Sequence, residues 1–527
     1  MSIASKIHPL RHLPTAALLL SLLCACSFYE YEDNTEEADP VTPTEKYINL
    51  SIVVSSGNEG TTRAPLGGEN GDGREAGSER ENKVTGITLM LYQDDAGINT
   101  TEDPIIDYIQ YFPTMRLDSS RDNAGTNYDH NDDIETEKSG AIEVKYTTGE
   151  QPLGSGIDKD KEYHVIVVAN WDLRDQVIAG TTTLATVREL ATSHIYTGNG
   201  IGVNATSFIM ASEKDYPTIR LSDIPPTPKE NKLVYDIGPI RIERLAARVD
   251  FWMKGAEYKE NGIENSDDKR PGYEYAVTRS DGTTPSPDKF LLTAVTPFNL
   301  YKDEEYLIKH LNPSKDGKVV YLDDESQYSY VIDPKTNKKE TVSSGAEPDY
   351  YLNPLSRLVT ADESNISTIA GEWRQTTQSL HVSENSLFKN FDDNKNFGYD
   401  NFILCYPKEN ALKLSSPLYY YATGVAIEGY YYKDGKGEGE YHVYYGFLRH
   451  QGEKTNDIYE IYKAEDFENE NAIVGDDDTP MNFSVVRNNI YRISIDKITE
   501  KGNEPPKITW QIKVKKWDKF THSTIYM

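Results

Sequence analysis

Residues 46–54 read Lys46-Tyr47-Ile48-Asn49-Leu50-Ser51-Ile52-Val53-Val54. Ile48, Leu50, Ile52 and Val54 recur at period two, so one face is apolar and the other is not. That spacing predicts a half-buried β-strand, about 30 Å long at ~3.3 Å per residue. Its surroundings are unlike a strand. Residues 27–45 are acidic, contain Thr and Pro, and have no periodicity, which reads as a tether. Residues 55–83 are rich in Gly, Glu and Arg and include TTRAPLGGENGDGREAGSERENK. That composition predicts an exposed, easily cut segment. A strand needs neighbours, so this one must reach a sheet across a long connection. It is either an ordinary first strand with a hairpin-like return or a strand made to be removable.

Further out, the chain keeps the same character. Strand patterns fall at Val84–Tyr92, Ile105–Phe112, Ala141–Tyr146, Glu162–Asn170, Ser207–Ala211 and Tyr216–Leu221. Thr183–Ala191 has helical spacing through Leu184, Val187 and Leu190. Ile224-Pro225-Pro226-Thr227-Pro228-Lys229 reads as a Pro-rich linker, which sets a boundary near residue 231. Beyond it, Tyr235–Trp252 is an alternating run. Leu418–Leu448 reads as a long hairpin around a glycine-rich turn. Phe483–Ile495 and Ile508–Val514 are strands, and the tail Lys519–Met527 is short and β-prone. Many short strands and few helices predict an all-β fold built of β-sandwiches.

The N-terminus carries an address. Lys6 and Arg11 precede a short apolar run, Ala16–Leu23, and then Leu23-Cys24-Ala25-Cys26. The run is too short to span a bilayer, which takes ~20 apolar residues. It reads as a secretory signal over residues 1–25, with Cys26 the acylated N-terminus of the processed chain. Cys24 fits less well, because the large Leu23 precedes it.

The 527-residue chain has a formal net charge of -30. Such a balance argues against nucleic acid, whose phosphates would be repelled. Beyond Cys24 and Cys26 only Cys405 remains, so stability must come from packing rather than an internal disulfide. Cys405 sits in the apolar run NFILCYPKEN and reads as a buried structural thiol. The 37 Tyr against 14 Phe suit strands with one wet face.

Motifs for catalysis are missing. There is no H-E-x-x-H pattern, zinc-type Cys/His spacing, G-x-S-x-G elbow or Walker-type loop. Gly435-Lys436-Gly437-Glu438-Gly439 joins two strands and reads as a hairpin tip, not a phosphate cradle. Asp129, Asn131, Asp133 and Glu135 alternate like a calcium loop, but Ile134 stands where that loop needs glycine. Asp476-Asp477-Asp478 reads as a solvated run. The tyrosines at 419–421, 430–432 and 444–445 read as paving for the wet face of a sheet, with sugar stacking as the alternative. The sequence thus predicts no enzyme, no cofactor and no metal.

What stands out is assembly. A detachable strand lies near one end of the chain, with Arg63 just after it and a β-prone tail at the other end. A cut after Arg63 would let residues 46–54 leave. The vacated slot would offer apolar surface and unpaired backbone to another chain. Four inward side chains supply roughly 6–12 kcal/mol gross, at ~1.5–3 each. One head-to-tail contact of this kind repeats into an open filament. Arg74 and Arg80 lie in the same segment and would be cut as easily.

These residues resemble the fimbrillins, lipoprotein-derived pilins of the type V pili of Bacteroidales. The resemblance covers most of the chain. It is carried by Leu23-Cys24-Ala25-Cys26, the strand followed by Thr62-Arg63-Ala64, and VTGITLMLY at 84–92. VVAN at 167–170, FIMAS at 208–212, RLAARV at 244–249 and YPKEN at 406–410 continue it, as do VVRNNIYRISI at 485–495 and ITWQIKVKKW at 508–517. The length and the VVRNNIY ending look most like the larger subunits of short fimbriae.

The resemblance implies two tandem transthyretin-like β-sandwiches, a lipidated outer-membrane precursor, an arginine-specific protease, and polymerisation by strand exchange. On that pattern Arg63 precedes the cut and Ala64 begins the mature chain, though Pro65 departs from it. The implied divisions are a signal (1–25), a tether with the removable strand (26–63), and two domains (64–231 and 232–527). Ile48, Leu50, Ile52 and Val54 would plug the slot, and Phe520, Ile525 and Met527 would be the donated plugs. The implied partners are neighbouring pilin subunits, the protease, the outer membrane through the lipid, and a host or bacterial surface receptor. A stalk subunit is the first reading. A tip or accessory adhesin, or a glycan-binding surface lipoprotein, is the alternative.

Overall fold

The computed structural model describes residues 45–54, 74–76, 79–93, 103–119, 145–196, 205–212, 217–311, 331–332, 351–357, 365–376, 380–381, 401–410, 421–450, 458–468 and 483–518, apart from single positions at 155, 206, 268, 303 and 356. Residues from Thr44 onward form one compact unit. Among the described residues the chain is all-β, with two large sheets and few short helices.

The first sheet contains β1 (Glu45–Val54), β2 (Ile87–Tyr92), β3 (Ile106–Phe112), β4 (Arg116–Ser119), β5 (Lys145–Thr147), β6 (Gln151–Pro152), β7 (Glu162–Ala169), β8 (Met210–Ser212) and β9 (Lys232–Arg244). Its order is β3-β2-β7-β8-β9-β1-β5-β4, with β6 also beside β1. Strands β2 (ITLMLY) and β7 (EYHVIVVA) are near-continuous apolar runs rather than alternating ones. Every residue of β2 is buried, and so are the last five of β7. Such runs fit strands covered on both faces. The core of this sheet gathers Ile48, Leu50, Ile52, Leu89, Val165, Val167, Ile237 and Ile242.

The second sheet contains β10 (Arg248–Trp252), β11 (Gly272–Thr278), β12 (Pro285–Phe298), β13 (Asn401–Cys405), β14 (Gly424–Tyr432), β15 (Glu440–Phe447), β16 (Asn489–Lys501) and β17 (Glu504–Asp518). Its main order is β17-β16-β11-β12-β14-β15, and the short strand Arg74–Ala76 closes the edge beside β17. β10 runs parallel to β16 and antiparallel to β13. One apolar layer holds Phe251, Tyr275, Phe290, Ile427, Tyr444, Tyr491 and Trp510. A second holds Phe298, Leu355, Ala370, Ala426, Tyr445, Phe447, Phe467 and Phe483.

Three sequence expectations change here. The Pro-rich stretch is not a linker: Thr227–Lys229 folds back on β9 as a tight hairpin, with Thr227 opposite Val234, and Glu230 takes a positive φ of 51° at the turn. The chain therefore leaves the first sheet between Arg244 and Arg248. A division at 231 would cut β9 away from the sheet it completes. Tyr235–Trp252 is accordingly two strands in two sheets. Lastly, the hairpin tyrosines do not pave a wet face. Tyr431, Tyr432, Tyr444 and Tyr445 are buried, because apolar residues cover both faces of the hairpin. Tyr430 remains half-buried, with Arg270 stacked over its ring at 3.3 Å.

Candidate functional site

Strand β1 is the site the sequence points to, and it lies inside the first sheet. On one side it runs parallel to β9, from Glu45 opposite Lys232 to Val54 opposite Ile242. On the other it pairs antiparallel with β5, Ile52 opposite Tyr146, and with β6, Ile48 opposite Gln151. Ile48, Leu50, Ile52 and Val54 are fully buried. The opposite face is more open: Tyr47 and Asn49 are half-buried, while Ser51 is closed off. A strand so placed is held by its core-facing side chains and two ladders, with solvent reaching its outer face.

Two residues outside β1 shape the slot. The buried Thr148 clamps the centre of the strand. Its backbone N–H donates to the Leu50 carbonyl at 3.0 Å, and its Oγ1 accepts from the Leu50 N–H at 3.0 Å. Gly238 sets the register on the other side. The ladder skips a residue on β9, with Leu50 opposite Ile237 and Ile52 opposite Ile240. Gly238 sits at that skip with φ +106°, and a Cβ there would collide with the Ser51 carbonyl oxygen. Only glycine permits that approach. At the mouth, Asn49 donates to Asp236 at 2.8 Å and Lys232 lies over the Tyr47 ring at 4.5 Å. Lys229 and Lys232 flank the Glu150 carboxylate at 2.7 and 3.6 Å; the hydrogen bond from Lys229 holds the Glu150 carboxyl below its ordinary value.

Downstream of the slot the chain is locked in place. Residues Glu79–Asn82 form one helical turn, and Glu81 is fully buried. Tyr406 donates to Glu81 Oε1 at 2.5 Å, Arg248 reaches Oε2 at 3.4 Å, and Arg244 Nε donates to the Glu81 carbonyl at 3.1 Å. Arg244 also donates to Asn82, and to Asn488 at 3.1 Å. Arg248 grips Asp250 with two bonds, at 2.9 and 2.8 Å, and Arg492 joins that carboxylate at 3.0 Å. Buried charges of this kind persist only when paired and fully bonded. Loss of the chain before residue 79 would leave this anchorage intact.

A second buried group lies close by. Arg487 donates to Glu409 at 3.0 Å and to the carbonyls of Tyr306 and Leu307 at 2.7 and 3.0 Å, and it lies 3.2 Å from Glu305. One guanidinium thus faces two buried carboxylates. Burial, added to the neighbouring Glu409 charge, outweighs Arg487 and pushes the Glu305 carboxyl up to about 8. Among the described residues its Oε2 has no hydrogen-bond partner.

Cys26, Arg63, Ala64, Phe520, Ile525 and Met527 lie outside the described residues, as do Asp129, Asn131, Asp133, Glu135 and Asp476–Asp478. Cys405 is a buried free thiol whose pKa burial raises, as a structural cysteine requires. The glycine-rich turn at 433–439 joins β14 to β15 as a hairpin tip, with Asp434 at φ 53°. Arg74 and Arg80 are not equivalent loop arginines. Arg74 starts a strand parallel to Lys516–Asp518 of β17, and Arg80 lies in the helical turn that Glu81 and Asn82 pin down. Sequence reading missed Thr148, Gly238 and both buried networks. The networks had one visible signal, the arginines set among apolar residues in RLAARV and VVRNNIY. Among the described residues no group of side chains could hold a metal ion, and no helix is long and apolar enough to cross a membrane.

No protein-family model matches the chain, and no curated protein does. Solved structures do match. The tip fimbrial protein Mfa3 from Porphyromonas gingivalis, C-terminally truncated, is 9% identical over 90% of this chain and 100% of its own, with a TM-score of 0.38. A fimbrilin (fimA) from Porphyromonas gingivalis W83 is 14% identical over 90% and 99%, at 0.36. A fimbrial assembly protein from Parabacteroides distasonis ATCC 8503 is 10% identical over 89% and 95%, at 0.29. These likenesses are loose, and the functional reading rests on the chain's own residues.

Proposed function

We propose that this chain is a structural subunit of a cell-surface pilus, exported as a lipoprotein acylated at Cys26, cut between Arg63 and Ala64, and assembled by strand exchange. The observation that carries the reading is the state of β1. It supplies four fully buried aliphatic side chains to the core, and the stretch that follows it in the sequence carries Arg63, the proposed cut site. After the cut it is a short peptide held only by non-covalent contacts. Its departure bares β9 on one side and β5 with β6 on the other, a two-sided slot for an incoming strand. The anchorage at Glu81 and Asn82 supports the same reading, since the rest of the chain keeps its hold without residues 26–63. Buried tyrosines in the 424–447 hairpin leave little surface for stacking on sugars, so the stalk role is preferred to the adhesin.

The test is a gel. Purified precursor treated with an arginine-specific protease and run unboiled gives a ladder. Precursor with Arg63, Arg74 and Arg80 all changed to Ala gives none, and neither does protein lacking 519–527. A ladder of equal length from the triple variant would overturn the processing step. Saturable glycan binding with no ladder would favour the adhesin.

A further inference from the structure

We propose that residues 305–309 form a pH-sensitive clasp: a strap from the second-sheet half of the chain, gripped against the first-sheet half by two buried carboxylates that share one guanidinium, which loosens at alkaline pH. The inference does not depend on β1 leaving its slot.

The strap crosses between the halves. In sequence it lies between β12 and β13 of the second sheet. In space Glu305 and Tyr306 pair antiparallel with Thr192 and Ala191, which lie between β7 and β8 of the first. The Leu307 N–H donates to the Leu190 carbonyl at 2.8 Å. Leu307 and Ile308 are buried in the core of the first sheet, and Lys309 reaches Glu243 on β9 at 3.0 Å. The other side of the strap meets the second half. Arg487, just before β16, holds the Tyr306 and Leu307 carbonyls. Its backbone N–H donates to Glu409 at 3.1 Å, and the Glu409 N–H donates to Glu305 at 3.4 Å. A ladder of two residues is a weak tie. The hold therefore rests on the apolar pair and on this cluster.

Charge makes the hold conditional. Glu305 and Glu409 are fully buried, and Arg487 nearly so. Arg487 lies 2.9 Å from Glu409 and 3.2 Å from Glu305. One guanidinium cannot balance two anions in a dry site, and like charges that close oppose each other's ionisation. The surrounding groups do not remove the conflict. Lys309 is taken up by Glu243. Lys408 donates to the Lys302 carbonyl at 2.7 Å. Its charge favours the Glu305 anion, as Arg487 does, but burial and Glu409 outweigh them both. Ala191 and Thr192 bring no charge. Glu305 therefore keeps its proton until about pH 8, and the two acids titrate as a unit. The folded state holds that proton more tightly than the unfolded chain, whose carboxyl titrates near 4.5. The stabilisation is full below that pH and is lost as pH rises through about 8. The cost falls on the strap, whose short ladder opens before either large sheet does.

The experiment is hydrogen exchange read by mass spectrometry on the full-length protein, at about pH 6.5 and about pH 9, each corrected for the intrinsic exchange rate at that pH. Protection of the peptide that covers 305–309 should fall at least about tenfold at the higher pH, while that of β14 should not change. Glu305→Gln, neutral at both pH values, should keep the same protection at both. Glu409→Gln leaves Arg487 to Glu305 alone and should also shrink the fall, so either variant decides the matter if the other does not fold. A fall as large in either variant as in wild type overturns the role of the acid pair. No fall in wild type, or an equal fall in β14, overturns the local clasp.

Discussion

Gly238 is where a single side chain decides whether β1 fits. Its backbone lies in the left-handed region at φ +106°, and an added Cβ would strike the Ser51 carbonyl oxygen. Gly238→Ala is expected to destabilise the precursor by about 1–3 kcal/mol. Gly502 offers the control, with φ +68° and open space around it. Gly502→Ala carries the conformational strain without the collision, so urea midpoints should fall further for the 238 variant. Equal losses at the two sites would mean that the close approach to β1 contributes nothing.

Glu305 makes a pH prediction at the same scale. Its folded pKa of about 8 lies above the ordinary value of 4.5. The folded state therefore binds the proton more tightly than the unfolded state. That contribution is fully present below about 4.5 and is lost as pH rises through about 8. Wild-type Tm should fall between pH 5 and pH 9 at least in part through this group. Glu305→Gln, which stays neutral, should narrow that fall. If the two proteins lose the same amount, Glu305 is not carrying a proton at neutral pH.

At the scale of elements, the strand Arg74–Ala76 changes which arginine a protease meets first. Its register places Arg74 opposite Lys516 and Ala76 opposite Asp518, so residues 74–76 are tied to the last described stretch of β17. Arg80 lies in a helical turn whose next residue is wholly buried. Cleavage at either site requires local opening. Limited digestion with N-terminal sequencing should give Ala64 first, and chains starting at Glu75 or Glu81 only later. Early appearance of Glu75 would show that this pairing does not protect.

Elements also show what the sequence could tell. The period-two run in β1 was legible because its outer face stays partly wet, with Tyr47, Asn49 and Ser51 set between the aliphatic positions. Its partner was not legible: Leu50 pairs with Ile237, far along the chain and in parallel, and no local pattern encodes a contact at that distance. The tyrosines of β14 and β15 were misread for a related reason. Tyr is a fair sign of a half-wet strand, but here the segments around Leu355, Ala370, Phe467 and Phe483 close over the hairpin. Gly238 and Pro239 lie inside what reads as one alternating run, yet they form the register skip that lets β9 accept β1. The hand-over at residues 244–248 was hidden because RLAARV carries apolar spacing straight through the change of sheet.

Across the whole molecule, the chain from residue 81 onward is locked in place, whereas β1 is the strand proposed to be replaced. The buried networks around Arg244, Arg248 and Arg487 pin the chain from residue 81 onward. Removal of 519–527 should stop assembly, as read from the loss of the ladder on unboiled gels.

The most direct measurement is the composition of the assembled ladder. Bands excised after protease treatment and analysed by mass spectrometry should contain chains beginning at Ala64, with the fragment that carries Ile48, Leu50, Ile52 and Val54 absent. A ladder that keeps that fragment at one per subunit would contradict the account, for the slot would never have been emptied.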